Sequence, residues 1–216
     1  MTFAHDRNAW RALEASDAAG DANPPADEWR FERVSGMERS EIERFIALNF
    51  RRAYGARLRR FFPEIVALYR RGQLVAACGL RFADREPLFL ECYLDVPVEQ
   101  VLSSAARARI GRRDIVEVGN LAVARAGIAR DLIVHLTARL HREQLRWAVF
   151  SAVPSLRNNF VRLGIPLLAL ARADGNRLPV EERGEWGRYY EAIPRVSAVS
   201  VDAAHTALVR QGPCTR

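Results

Sequence analysis

The residues with the most chemical content lie in Asp114-Ile-Val-Glu117-Val-Gly119-Asn120-Leu121-Ala-Val123, an apolar run with a carboxylate, a glycine and an amide at its centre. A strand buried on both faces normally reads as continuous apolar residues, and an unpaired carboxylate in such a place is costly or shifts its pKa until it is neutral. A second acidic segment, Leu88-Phe-Leu-Glu91-Cys-Tyr93-Leu-Asp95, alternates in character. As a strand it puts Phe89, Glu91, Tyr93 and Asp95 on one face and leucines with Cys92 on the other. If the two strands adjoin, Glu117, Glu91 and Asp95 converge, enough to bind a cationic amino group beside Tyr93 and take its proton as the nitrogen attacks an acyl carbon. A close carboxylate pair also raises one pKa toward neutrality, which suits a general base. Asn120 supplies a donor for the carbonyl oxygen. The alternatives are a solvent-facing edge strand for Glu91 and Asp95, and a structural ion pair with an arginine for Glu117.

Other polar residues gather downstream. Ala124-Arg125-Ala-Gly127-Ile-Ala129 opens a helical pattern whose first N–H groups suit phosphate. Ser155 follows Pro154 as an N-cap, and Arg157 and Asn158 suit a carboxylate or amides. Tyr189 and Tyr190 carry hydroxyls able to donate a proton. The net charge is +7 and every basic residue is arginine, which excludes a P-loop lysine, a Schiff base and a lysine general base. Arg51, Arg52, Arg57, Arg59 and Arg60 form one cluster, and Arg107, Arg109, Arg112 and Arg113 another. Such clusters fit a coenzyme A pyrophosphate, an acidic carrier protein, nucleic acid, an anionic lipid surface or plain solvent. No helix-turn-helix, zinc or RNA-binding motif is present, and no His, Cys and acid spacing predicts a metal or a triad. His135 and His141 are read on the polar side of their helix. Cys78 and Cys92 are read as core filler, and with Cys214 they make an odd, widely spaced set that fits reduced thiols.

The chain of 216 residues, 49% hydrophobic, is expected to form one domain over 28–202, after a leader over 1–27 and before a tail over 203–216. Its apolar runs fall short of the roughly 18 to 20 residues that span a bilayer, so a soluble, cytoplasmic protein is expected. Strands are predicted at 29–34, 65–69, 74–82, 87–95, 115–123, 147–153, 166–171 and 196–201, and helices at 38–54, 128–145 and 155–163. Arg70-Arg-Gly72-Gln marks a hairpin. Strands in a row followed by alternating strands and helices predict a mixed α/β (α+β) sheet with helices on its faces.

This element order resembles the GNAT superfamily. That resemblance implies two central strands that splay apart to admit an acyl-pantetheine, with Leu121, Val123, Gly127 and Ala129 at the donor. The match is reduced, because Ala124 holds the slot of an arginine or glutamine. Phe160 stands where acetyltransferases often carry a thiolate-protonating tyrosine, which leaves Tyr189 and Tyr190 as substitutes. The segments Phe61-Phe-Pro63, Leu88 to Glu99, Val116 to Ala122, Leu156 to Gly164 and Trp186-Gly-Arg-Tyr-Tyr190 resemble the thermostable hemolysin family over about residues 30 to 200. The acidic strand before the Glu117 strand is similar to acyl-homoserine-lactone synthases, which acylate an amino-acid-like amine. The resemblance implies an N-acyltransferase that takes an acyl-CoA or acyl-carrier-protein (acyl-ACP) thioester and a small amine or amino acid. Glu117, Glu91 and Asp95 would be catalytic, Asn120, Tyr93, Arg157, Asn158, Phe160 and Tyr190 would bind substrate, and Arg52, Arg59 and Arg112 would meet an acidic carrier. The family name implies the alternative of a membrane-active hemolysin without enzymatic activity, against which no lytic amphipathic helix is found.

Overall fold

A computed structural model describes residues 29–211. The expected leader and Cys214 lie outside the described residues. The strands are β1 (Trp29–Val34), β2 (Glu64–Arg70), β3 (Gln73–Phe82), β4 (Ile115–Val123), β5 (Trp147–Ala152), β6 (Leu168–Arg172) and β7 (Arg195–Ser200), and the helices are α1 (Glu38–Tyr54), α2 (Val98–Ala106), α3 (Ile128–Arg142), α4 (Pro154–Arg162), the one-turn α5 (Val180–Arg183) and α6 (Val201–Gln211). They build one mixed seven-stranded sheet in the order β1-β2-β3-β4-β5-β7-β6. Only β4 and β5 pair in parallel among these neighbours. A parallel pair needs a crossover, and α3 provides it.

Local chemistry accounts for most elements. Helix α1 buries Ile42, Ile46 and Phe50 on one stripe, has Glu38 and Glu41 in its first turn and Arg51 and Arg52 in its last, and ends at Gly55. The β2–β3 hairpin turns on Arg71 and Gly72, both at positive φ, as a two-residue turn matched to strand twist requires. One face of the sheet packs Val116, Val118, Phe150 and Val199 against Leu132, Leu136 and Leu140 of α3 and Ala204 and Leu208 of α6. The other packs Ile115, Val149 and Ala198 against Leu90 and Leu102, and Ile65, Ala77 and Ala122 against α1.

Five expectations are corrected. The strand expected over 87–95 is a 3-10 turn, Phe89–Tyr93. Its alternation is overridden because two of its N–H groups bond the Glu117 carboxylate and Glu91 folds back onto the Leu88 N–H. Helix α2 follows where no element is expected. Residues 203–211, expected as tail, continue α6, whose Ala204 and Leu208 are buried. At α4 the N-cap is Val153, not Ser155, because Pro154 takes the first helical position, where its missing N–H costs nothing. His135 also departs from the polar side: it packs against Trp29 and Phe31 of β1, and burial pulls its pKa down to about 4.

Candidate active site

The parallel ladder between β4 and β5 has three rungs, Ile115↔Trp147, Val116↔Ala148 and Glu117↔Val149, and stops there although both strands run on. On the opposite edge of β4, Gly119 pairs with Gly79 and Ala122 with Ala77, so Asn120 and Leu121 face the single residue Cys78. This is a β-bulge, and Asn120 sits in it at φ 50°. A bulge bends its strand and shifts the alternation by one. Accordingly Ile115 and Ala122 lie on the same side of the sheet, and β4 turns away from β5 beyond Glu117.

The residues around the bulge explain each other. The Phe62 ring lies on Gly79 and Gly119, and a Cβ at Gly119 would stand 2.5 Å from it. Asn120 Oδ1 accepts the Phe62 N–H at 3.0 Å, and the residue lines the space between the strands. Glu117, 2% exposed, accepts the Phe89 N–H at 2.7 Å and the Leu90 N–H at 3.0 Å, one on each oxygen. Burial pushes its carboxyl up to about 8, against the pull of those two donors and of the Arg81 guanidinium. It is a carboxyl poised near neutrality, as a general base requires.

A cavity of about 410 Å³ occupies the splay. On the α1 side it is lined by Glu117, Gly119, Arg81, Phe62, Phe89, Tyr54, Trp186 and Tyr189. On the α3 side it is lined by Val118, Leu121, Val123, Phe150 and Val199, and by Ala129, Leu132, Ile133, Leu136 and Leu140 of α3. The cavity therefore passes through the sheet, with polar groups at one end and a wall along the helix that is apolar except for Thr137. Its mouth is tied by Arg60–Glu182 at 2.5 Å and Arg59–Glu185 at 3.8 Å.

Of the residues read as a site from sequence, the cavity brings together Glu117, Asn120, Leu121, Val123, Ala129, Phe160 and Arg59. The rest are placed elsewhere. Glu91 bonds the Leu88 and Val98 N–H groups and Arg112; burial works against ionisation, but these bonds win and hold its carboxyl below the usual range. It is a cap for the 3-10 turn and α2. Asp95 lies at the surface with Arg177, because the segment is not a strand and its alternation never forms. Tyr93 and Tyr190 pair hydroxyl to hydroxyl at 2.5 Å, and their rings pack behind Phe89 and Trp186. On α4, Ser155, Leu156, Asn159 and Phe160 face the cavity, whereas Arg157 and Asn158 point elsewhere. Gly127 is the N-cap of α3, outside the lining, and Arg52 is exposed on the last turn of α1. Arg112 bridges Glu91 and Glu99 and donates to two carbonyls, so its guanidinium is committed internally. Cys78 is buried, and Cys92 is half-buried in the 3-10 turn, not in a strand.

Sequence reading missed Arg81, Phe62, Trp186 and Asn159. Arg81 had a signal, a lone arginine two residues after Gly79 in an apolar strand; Phe62 and Trp186 were read only within segments that carry the family resemblance, since loop aromatics reveal their neighbours only after folding. Among the described residues no group of three or more metal-binding side chains converges.

A mixed sheet whose central parallel pair splays over a through-going cavity is an acyltransferase-like fold, and solved structures share it. An N-acyl amino acid synthase from uncultured soil microbes, FeeM, aligns with TM-score 0.52 and 13% identity, over 81% of this chain and 93% of its own. The AHL synthase LasI aligns with TM-score 0.56 and 10% identity, over 88% and 98%. A CoA-dependent acyl-homoserine lactone synthase, MesI, gives 0.52 and 15%, over 87% and 97%. No curated protein matches. The thermostable hemolysin family profile matches residues 33–205, and the chain belongs to that family.

Proposed function

We propose that the protein is an N-acyltransferase that moves an aliphatic acyl group from a thioester to the amine of a small molecule. The observation that carries this reading is the cavity through the splayed sheet, with Glu117 at its polar end and an apolar wall along α3. A thioester seated in the splay would lay its acyl chain against Leu132, Leu136 and Leu140 and present its carbonyl carbon near Glu117. Glu117 takes a proton from the ammonium, and the free amine attacks the carbonyl carbon. As the carbon–sulfur bond breaks, the nitrogen gives up its second proton to balance the one the departing sulfur takes, leaving amide and free thiol while the proton on Glu117 is released to solvent. Asn120, through its amide nitrogen, stabilises the carbonyl oxygen as it becomes negative. Phe160 stacks on Phe150 at 5.0 Å and has no proton for the departing thiolate. Tyr189 does: burial pushes its hydroxyl up to about 12, so it stays protonated at the cavity wall, where it donates to the Ser151 carbonyl at 3.1 Å and would have to turn from it to reach the sulfur. The donor is an acyl-CoA or acyl-carrier-protein thioester, its phosphate end directed to the start of α3 and, for a carrier, its acidic surface to Arg52 and Arg59.

The test is mass-spectrometric detection of N-acyl products from acyl-CoA and acyl-ACP donors with a panel of amino acids. Wild type should form amide and Glu117→Gln should be slower by about 10²–10⁴-fold, the usual worth of a positioned general base. Background-level product with every donor, or equal rates in the two proteins, would sink the reading.

A further inference from the structure

We propose that Arg81 binds the carboxylate of the acceptor, so that the substrate is an amino acid and not a simple amine. This rests on the acyltransferase reading of the same site. Arg81 and Glu117 are direct partners across the antiparallel β3–β4 ladder, which puts both side chains on one face of the sheet, and both line the cavity. The Arg81 guanidinium lies 4.7 Å over the Phe62 ring, so one face is packed and its N–H edges remain to be used. Those edges are poorly used by the protein itself. Nε is buried without a hydrogen-bond partner; the Glu86 carboxylate stands 3.5 Å away, outside hydrogen-bond geometry, and Nη1 reaches the Pro87 carbonyl only at 3.4 Å.

Other part-buried arginines of this chain are treated differently. Arg139 meets Glu64 at 2.5 Å and Glu143 at 2.7 Å, and Arg112 meets Glu91 at 2.7 Å. Arg157 also has a buried Nε without a partner, but it lies off the cavity. At the mouth Arg60 meets Glu182 at 2.5 Å, and Arg59, 3.8 Å from Glu185, has its side chain largely in solvent, so neither is a buried donor left open. Arg81 thus combines a place at the reacting end with a buried donor left open and a geometry suited to two parallel bonds to a carboxylate. With Glu117 beside it, the site holds one cation and one ionisable acid on the same face. That matches an α-amino acid, whose carboxylate and ammonium are joined through one carbon. A simple amine satisfies only half of it and leaves Arg81 as it is.

Two probes differing by that group decide the matter: N-dodecanoyl-L-phenylalanine and N-dodecanoyl-phenethylamine, titrated calorimetrically into wild type, Arg81→Met and Arg81→Lys, alongside transfer assays with phenylalanine and phenethylamine. Wild type should bind the carboxylate probe at least about tenfold more tightly, as one charge-assisted contact predicts. Arg81→Met should bring the ratio to about one, with Arg81→Lys between and the affinity for the amine probe unchanged in both. A ratio that survives Arg81→Met, or a wild type that binds the two probes equally, overturns the assignment and leaves the acyltransferase reading standing. Failure of wild type to bind either probe overturns both.

Discussion

Glu117 concentrates the conflict between folding and chemistry in one side chain. Its two oxygens hold the 3-10 turn in place, and its burial lifts its pKa to about 8. In an unfolded chain a glutamate titrates near about 4.3. Between these values the folded state binds the proton that the unfolded chain has released. Stability from this group is therefore fully present below the unfolded pKa and falls as pH rises through the folded one, by up to about 1.4 kcal/mol per pH unit. Urea unfolding of wild type and Glu117→Gln across pH 5 to 9 should show the wild type losing stability relative to the variant through this window. A difference that does not change with pH would mean that the carboxyl is already ionised in the fold. Sequence gave warning of this residue, since a carboxylate in a β-branched run requires partners. It named the wrong ones: Glu91 and Asp95 stand near in sequence pattern, whereas the observed partners are the N–H groups of Phe89 and Leu90, which no pattern of side chains encodes.

At the scale of elements, the splay depends on a stack of small and large groups. Gly79 and Gly119 leave room for Phe62, whose N–H is fixed by Asn120, and Asn120 is the bulge that turns β4 away from β5. A methyl group at Gly119 has nowhere to go but into the ring. Gly119→Ala should cost about 1–3 kcal/mol, as overpacking of a filled core does, and thermal unfolding should show part of that loss recovered in the double variant with Phe62→Leu. Equal losses in the single and double variants would mean that the ring does not set the need for glycine. Helices α1, α3 and α4 and the seven strands were legible because their apolar residues recur at periods of 3.6 and 2. The 87–95 segment was not, because tertiary bonds from Glu117 and local ones from Glu91 override an alternation that fits a strand equally well. Helix α2 shows the same limit: its burial of Val98 and Leu102 makes sense only once the 3-10 turn has placed them over the sheet.

Across the whole molecule, the cavity makes a core do two jobs. Leucines of α3 that would close a hydrophobic core in another protein line a cavity here, so an acyl chain bound as proposed would complete the packing. From Ala129 to Leu140 the helix rises about 16 Å, enough to lie beside an extended chain of roughly a dozen carbons. Leu136→Trp should block the far half of that path. In competition assays with acyl-CoAs of graded length it should shift preference from long to short chains while transfer of the shortest persists; an unchanged length profile would place the acyl chain elsewhere. No helix among the described residues is long and apolar enough to cross a membrane.

The sequence by itself determined the seven strands, helices α1, α3 and α4 and hence a mixed sheet with helices on its faces, because periodicity and turn chemistry are local properties. It also marked Glu117 and Asn120, because polar groups in an apolar strand must be answered by something. Only the tertiary structure decided what answers them. The bulge at Asn120, the Phe62 ring on two glycines and the Arg81 guanidinium opposite Glu117 are contacts between residues far apart in the chain. So is the cavity through the splayed sheet, since a void belongs to no residue and exists only where two strands that share three rungs part company.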